Sequence, residues 1–223
     1  MNYLAHAYLH FDDPYFAAGT ALPDWMSVLD RKNRARQRYA EPVVEHQDEQ
    51  IAAFARGCVR HHTDDRWFHS SESFIQLNTQ FAVEVRPLLE EGLSHQAAFV
   101  GHISVELLMD AILCERDDSL LDQYYDNLES IDPEKAQEAA NAICRKPVTA
   151  LSLLIPHFIK ERFLADYYDD GLLRMRLNGV MKRVRLPELP KSLEGWLATA
   201  RPRVRDRIDE LITPPDTSAE PTP

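Results

Sequence analysis

The chain has 223 residues, enough for one domain with a sizeable core and no disulfide support, and its 36 acidic against 25 basic side chains give a formal charge of −11. That balance argues against general nucleic-acid affinity, which requires a basic footprint. Cys58, Cys114 and Cys144 form no disulfide framework and suit a reducing cytoplasm, while MNYLAHAYLHF lacks a basic lead and no run approaches 18 uncharged apolar residues, so neither export nor membrane spanning is expected.

Only 7 Gly stand among many Leu, Ala, Arg and Glu, a composition that favours helices. Residues 3–10 are predicted to form a short helix and 14–29 a second, capped by Asp12 or Asp13, with Pro14 in its first turn and a bend at Pro23. A polar, arginine-rich connection follows. From about Asp48 to Thr63, apolar Ile51, Phe54, Ala55, Cys58 and Val59 recur at helical spacing. Ser70 or Ser71 is the expected cap of a helix to about Leu89, with Phe74, Leu77, Phe81 and Val85 inward, and Ser94 that of an apolar helix from His95 to Cys114. Shorter helices are expected over 117–128 and 133–144, then over 148–183 with breaks at Pro156 and Gly171, and finally over 192–212. No stretch shows sustained apolar/polar alternation with β-branched enrichment, so the expected fold is all-α, a single helical bundle over residues 1–212. Residues 213–223, TPPDTSAEPTP, cannot supply a core and are expected to be disordered.

Histidines and acids four residues apart recur in three places: His6 and His10; His61, Asp65 and His69; His102, Glu106 and Asp110. Residues i, i+4 and i+8 lie near one helix face, so each set can aim metal-binding groups in one direction. The third set lies within AAFVGHISVELLMDAILC, where desolvating an imidazole and two acids without a partner is strongly unfavourable. A bound cation is one such partner. Mixed imidazole and carboxylate ligands suit Mn²⁺, Fe²⁺ or Zn²⁺, and such an ion acidifies bound water beside a polarised phosphoryl or acyl centre. Plainer roles compete: a core hydrogen bond for His6, a helix cap for Asp24, an exposed i,i+4 pair for His61 and Asp65, and an orienting contact to a ligating histidine for Glu106.

The same residues carry a resemblance. MNYLAHAYL, GTALPDW with Asp24, GCVRHHTDD with His61 and Asp65, and the apolar helix ending at Asp110 resemble the acyl carrier protein phosphodiesterase family, in matching order and spacing over residues 1–113. That resemblance implies an all-helical, HD-domain-like hydrolase that uses a divalent metal, typically Mn²⁺, to release phosphopantetheine from a holo-acyl carrier protein. It implies His6, Asp24, His61, Asp65 and Asp110 as metal ligands, and the ladder spacing adds His102 and Glu106. The chain departs from the family at Tyr8, where a further His is usual, at His62, where Arg is usual, and at His69, where Asp is usual. A divergent branch acting on a different ester fits these departures. His62 and His69 are candidate general acids for the leaving oxygen, and Arg60 and Arg66 are candidates to hold a phosphate.

Two basic segments, RKNRARQR (31–38) and RMRLNGVMKRVR (174–185), stand out of the acidic chain as solvated surface or as a docking surface for an acidic carrier protein. The expected protein is therefore a cytoplasmic, metal-dependent phosphodiesterase with no nucleic-acid or membrane partner. Two alternatives stand beside it. The zinc-dependent phospholipase C and helical nuclease group, whose sites use three zincs, is similar in its histidine and acid spacing, although the tryptophan start of that group is missing. A non-enzymatic, partner-binding helical protein would use the polar ladders as buried hydrogen bonds.

Overall fold

Side-chain caps set five of the helix starts. Asp13, Asp48, Ser71, Asp132 and Asp169 each accept a backbone N–H from the first turn that follows, as short polar side chains do at helix N-termini. In a computed structural model describing residues 1–214, the helices are α1 (Tyr3–Ala7), α2 (Pro14–Leu29), α3 (Gln37–Ala40), α4 (Glu49–Ser70), α5 (Glu72–Val85) and α6 (Ala97–Arg116). They continue as α7 (Leu120–Glu129), α8 (Pro133–Ile143), α9 (Leu151–Glu161), α10 (Asp170–Arg183), α11 (Leu193–Asp206) and α12 (Ile208–Ile212). No strand occurs among the described residues, and the fold is all-α.

Several boundaries differ from the sequence expectation. The α4 helix runs on past Thr63 to Ser70 because Asp64 and Phe68 are buried, giving its polar last turns an inward face. Pro156 lies inside α9, and the break falls at Arg162, whose φ of 43° is left-handed. Gly171 sits in the first turn of α10. Ser94 opens a 3₁₀ turn (Ser94–Gln96) and makes no capping bond, and the last helix divides at Arg207. The arginine-rich connection contains α3 and a 3₁₀ turn over Glu41–Val43. Of the proposed disordered tail, residues 215–223 lie outside the described residues.

Two packing features position the site. The α2 and α4 helices cross with backbones nearly touching: a Cβ added at Gly57 would lie 2.0 Å from the Phe16 carbonyl oxygen, and one at Gly19 would lie 2.1 Å from that of Phe54. Only glycine permits that approach. The α6 helix forms the centre of the core, with Leu108, Met109 and Ile112 fully buried. By length and composition Ser94–Arg116 is apolar enough to cross a membrane, yet 78% of that window is packed inside the fold, as expected of a core helix.

Candidate metal centre

The α4 register brings His61 and Asp65 beside His6 of α1, with a donor atom of each within 4.8 Å of the others. Hydrogen bonds fix the imidazole tautomers. His61 Nδ1 lies 2.9 Å from the Thr20 carbonyl oxygen, which can only accept, so Nδ1 carries a proton and, in the neutral ring, Nε2 presents its lone pair. The Gly57 crossing is what brings the Thr20 carbonyl within that reach. His6 Nδ1 faces Asp64 Oδ2 at 3.4 Å, and its buried Nε2 has no hydrogen-bond partner among the described residues. Both Nε2 atoms nevertheless stand 3.4 Å from oxygens of Asp65.

With both rings neutral, two imidazole lone pairs face one carboxylate, a contact that a ring proton, the Met1 ammonium on Asp65 Oδ1 or a bound cation relieves. The donor set therefore fits a divalent ion. Asp64 supplies the backing typical of a ligating histidine. It also accepts from Arg60 Nε at 2.7 Å and Trp67 Nε1 at 3.2 Å. Burial opposes ionisation of Asp64, but hydrogen bonds from His6 and Arg60 outweigh it and hold the carboxyl below its ordinary value. Asp65 behaves likewise: burial raises it, and His6, His61 and the Met1 ammonium together bring it far below the carboxylate range.

A second group could also hold a metal ion: His69, His102 and Glu106 place donor atoms within 4.8 Å of one another. Glu106 Oε1 lies 3.0 Å from His69 Nε2 and 3.2 Å from His102 Nε2. No hydrogen bond among the described residues claims Nδ1 of either ring, so each can carry its proton on Nε2 and donate it to Glu106. The group is thus satisfied by hydrogen bonding alone. Between the two groups sits the Met1 ammonium, 2.7 Å from Asp65 Oδ1 and 3.1 Å from Glu106 Oε1. Burial lowers the ammonium's pKa, but Glu106 and Asp65 outweigh that and raise it to about 10.

The other sequence-predicted residues take separate places. Asp24, half-buried on α2, belongs to neither group, and its carboxylate has no hydrogen bond among the described residues; burial first, then Asp65 and Glu106, push it up to about 6 against the pull of His61. Asp110 belongs to neither group. Its oxygens accept from the backbone N–H of Leu4 at 3.1 Å and Ala5 at 2.9 Å, and from Asn2 Nδ2 at 2.8 Å. Burial pushes Asp110 up to about 7 against those donors. It caps α1 from α6 and so sets His6. His62 Nε2 donates to the Ala35 carbonyl at 2.8 Å, and burial lowers its pKa. Arg60 is engaged by Asp64, Arg66 donates to Gln37, and His10 packs on Phe16.

Sequence reasoning missed Asp64, Thr20 and Asn2. The doubled acid at 64–65 was a signal for the first. Thr20 acts through a backbone carbonyl, which no side-chain pattern marks.

A cavity of about 690 Å³ opens beside Asp24 and Glu106. Val28, Leu107, Phe158 and Val180 give it apolar walls, and Arg31, Arg34, Arg36, Arg176 and Arg183 make its lining basic. The two basic segments meet here, where Arg31 Nη1 donates to the Arg183 carbonyl at 2.7 Å. Comparison of the chain with protein-family models, characterised proteins and solved structures finds no match.

Proposed function

We propose that this chain is a divalent-metal-dependent phosphodiesterase with an HD-domain-like helical architecture, similar to the acyl carrier protein phosphodiesterases and working in the cytoplasm. One observation carries the reading: the buried Nε2 of His6, without a hydrogen-bond partner among the described residues, and the Nε2 of His61 both face Asp65 at 3.4 Å. His6, His61 and Asp65 would hold the ion, with Asp24 close enough to feel their charge. Mn²⁺ is favoured, with Fe²⁺ or Zn²⁺ as alternatives that share the donor chemistry. The ion, when bound, supplies Lewis-acid polarisation of a phosphoryl oxygen and acidifies water.

The chain's own groups do the remaining work. Arg31, Arg34, Arg36 and Arg183 of the cavity lining, which pair with no acid among the described residues, would neutralise a phosphodiester through their guanidinium forks, whereas Arg176 is held by Asp166. His69 and His102, about one-third exposed and hydrogen-bonding with Glu106, are placed to give a proton to a leaving oxygen. The apolar walls exclude water from the length of the substrate. Joined basic segments of an acidic protein suit an acidic carrier protein, because complementary charge speeds encounter.

The test is elemental analysis of untagged protein, followed by assay of stripped and Mn²⁺-reloaded enzyme on a holo-carrier protein and on an aryl phosphodiester. Metal-dependent hydrolysis of either is expected. Protein that carries no metal, and whose stability ignores a chelator, would leave the polar ladders as hydrogen bonds of a binding protein. A ratio of three zinc ions per chain would favour the phospholipase C and nuclease type.

A further inference from the structure

The connection between α2 and α3 has a second face. There, a pocket of about 300 Å³ is lined by six cationic side chains, Lys32, Arg34, Arg36, Arg38, Arg145 and Lys146, with Asn33 and Tyr39 between them. No acidic residue lines it. None of the six cations forms an ion pair with Asp or Glu among the described residues, whereas Arg60, Arg116, Lys135, Arg162, Arg201 and Arg203 all do. In a chain of net charge −11, so dense a group of unneutralised cations calls for an explanation.

The pocket is built from buried contacts as well as surface charge. Asn33, only 3% exposed, donates from Nδ2 to the Lys146 carbonyl at 2.9 Å and accepts the Lys146 N–H on Oδ1 at 3.2 Å. This reciprocal pair ties one cationic loop to another more than 100 residues away, as the sequence separation of 113 shows. Tyr39 organises the other side: its hydroxyl accepts from Arg38 Nη2 at 2.7 Å, and the guanidinium carbons of Arg38 and Arg145 lie 4.7 and 5.9 Å from its ring centre. Cations held this close repel one another, and a multiply charged anion among them removes the repulsion. Guanidinium forks match phosphate oxygens, and the volume admits a compact anion in preference to a helix or a nucleic-acid strand.

We infer that this pocket is a binding site for a compact, multiply charged phosphate of the pyrophosphate class, separate from the metal centre. The inference does not rest on the phosphodiesterase reading. Arg34 and Arg36 line both this pocket and the large cavity, so an anion bound here touches the same loop that shapes the cavity wall.

Isothermal titration of the full chain with pyrophosphate, after metal stripping and dialysis, tests it. Saturable one-site binding is expected, weakening as salt rises. Inorganic phosphate should bind more weakly. The Arg145→Gln/Lys146→Gln double variant, altered only at exposed positions, should lose about tenfold or more in affinity. Asn33→Ala should weaken binding without any change of charge, provided its circular dichroism remains helical. Asp65→Asn should leave binding unchanged. Absence of saturable binding, equal affinity in the double variant, or a clear change of affinity in Asp65→Asn would each overturn the assignment, the last by locating the anion at the metal centre.

Discussion

A Gly57→Ala substitution probes the helix crossing that assembles the candidate centre. The added methyl carbon would lie 2.0 Å from the Phe16 carbonyl oxygen, 2.9 Å from Thr20 N and 3.0 Å from Gly19 C, all backbone atoms that cannot rotate aside. With non-bonded carbon contacts optimal near 3.5 Å, α2 and α4 must separate by about 1 Å. Two effects oppose each other. Alanine gains roughly 1 kcal/mol of helix propensity, whereas overpacking destabilises by about 1–3 kcal/mol, with the upper end expected when the neighbours are rigid. The clash wins, and a net loss of about 2 kcal/mol is expected. Separation also draws the Thr20 carbonyl away from His61 Nδ1, so Mn²⁺ affinity should fall about 10–100-fold, as when a ligand loses its outer partner. Gly195→Ala on α11 is the matched control: no atom lies within 4 Å of the added carbon, and stability should rise by up to about 1 kcal/mol. Urea unfolding and Mn²⁺ calorimetry read both effects. A Gly57→Ala protein as stable as wild type, with unchanged metal affinity, would refute the idea that the crossing sets His61.

Replacing Asp110 by Ala strands the buried N–H groups of Leu4 and Ala5 and should destabilise the fold by roughly 3 kcal/mol, while Asp110→Asn, which keeps one acceptor oxygen, should cost clearly less; denaturant midpoints decide. Asp24 is raised from 3.8 to about 6, so the metal-free fold binds that proton more tightly than the unfolded chain does. Stability of stripped protein should therefore fall as pH climbs through that window, and the slope should flatten in Asp24→Asn. Metal affinity should move the other way, rising through the same window as Asp24 gains its charge; calorimetry at pH values on either side of it checks both signs. His6→Ala should abolish the tightest metal-binding step, whereas Glu106→Gln should leave that step in place. The reverse order in a Mn²⁺ titration would reject the assignment of the first group.

Local geometry was legible in the sequence. The α2 helix, its Asp cap and Pro14, and the i,i+4 pairing of His61 with Asp65 and of His102 with Glu106 follow from spacing alone. Direction was not. Asp110 shares a ladder with Glu106, yet the start of α1 lies over its end of α6, and backbone N–H groups claim its oxygens. The sequence suggests a break at Pro156, but a proline inside a helix forfeits one hydrogen bond, and buried Ile155 and Phe158 keep α9 continuous around it. The convergence of residues 31–38 with 174–185, where Arg31 meets Arg183 across 152 positions of sequence, depends on tertiary packing that periodicity does not encode.

Ligand count alone would rank the two residue groups equally, since each brings two imidazoles and one carboxylate within the same distance. Proton bookkeeping separates them. Around His69 and His102 every contact can be a donor meeting an acceptor, because nothing else claims their ring protons. Around His6 and His61 the Nδ1 atoms are already engaged by Asp64 and Thr20, so the Nε2 atoms, both 3.4 Å from Asp65, are the ones left for a ligand, with the Met1 ammonium on Asp65 Oδ1 beside them. A divalent cation satisfies all three donors at once. Asp64 and Thr20, which take up the Nδ1 atoms and which the ladders do not reveal, therefore matter to the centre as much as the ligands themselves.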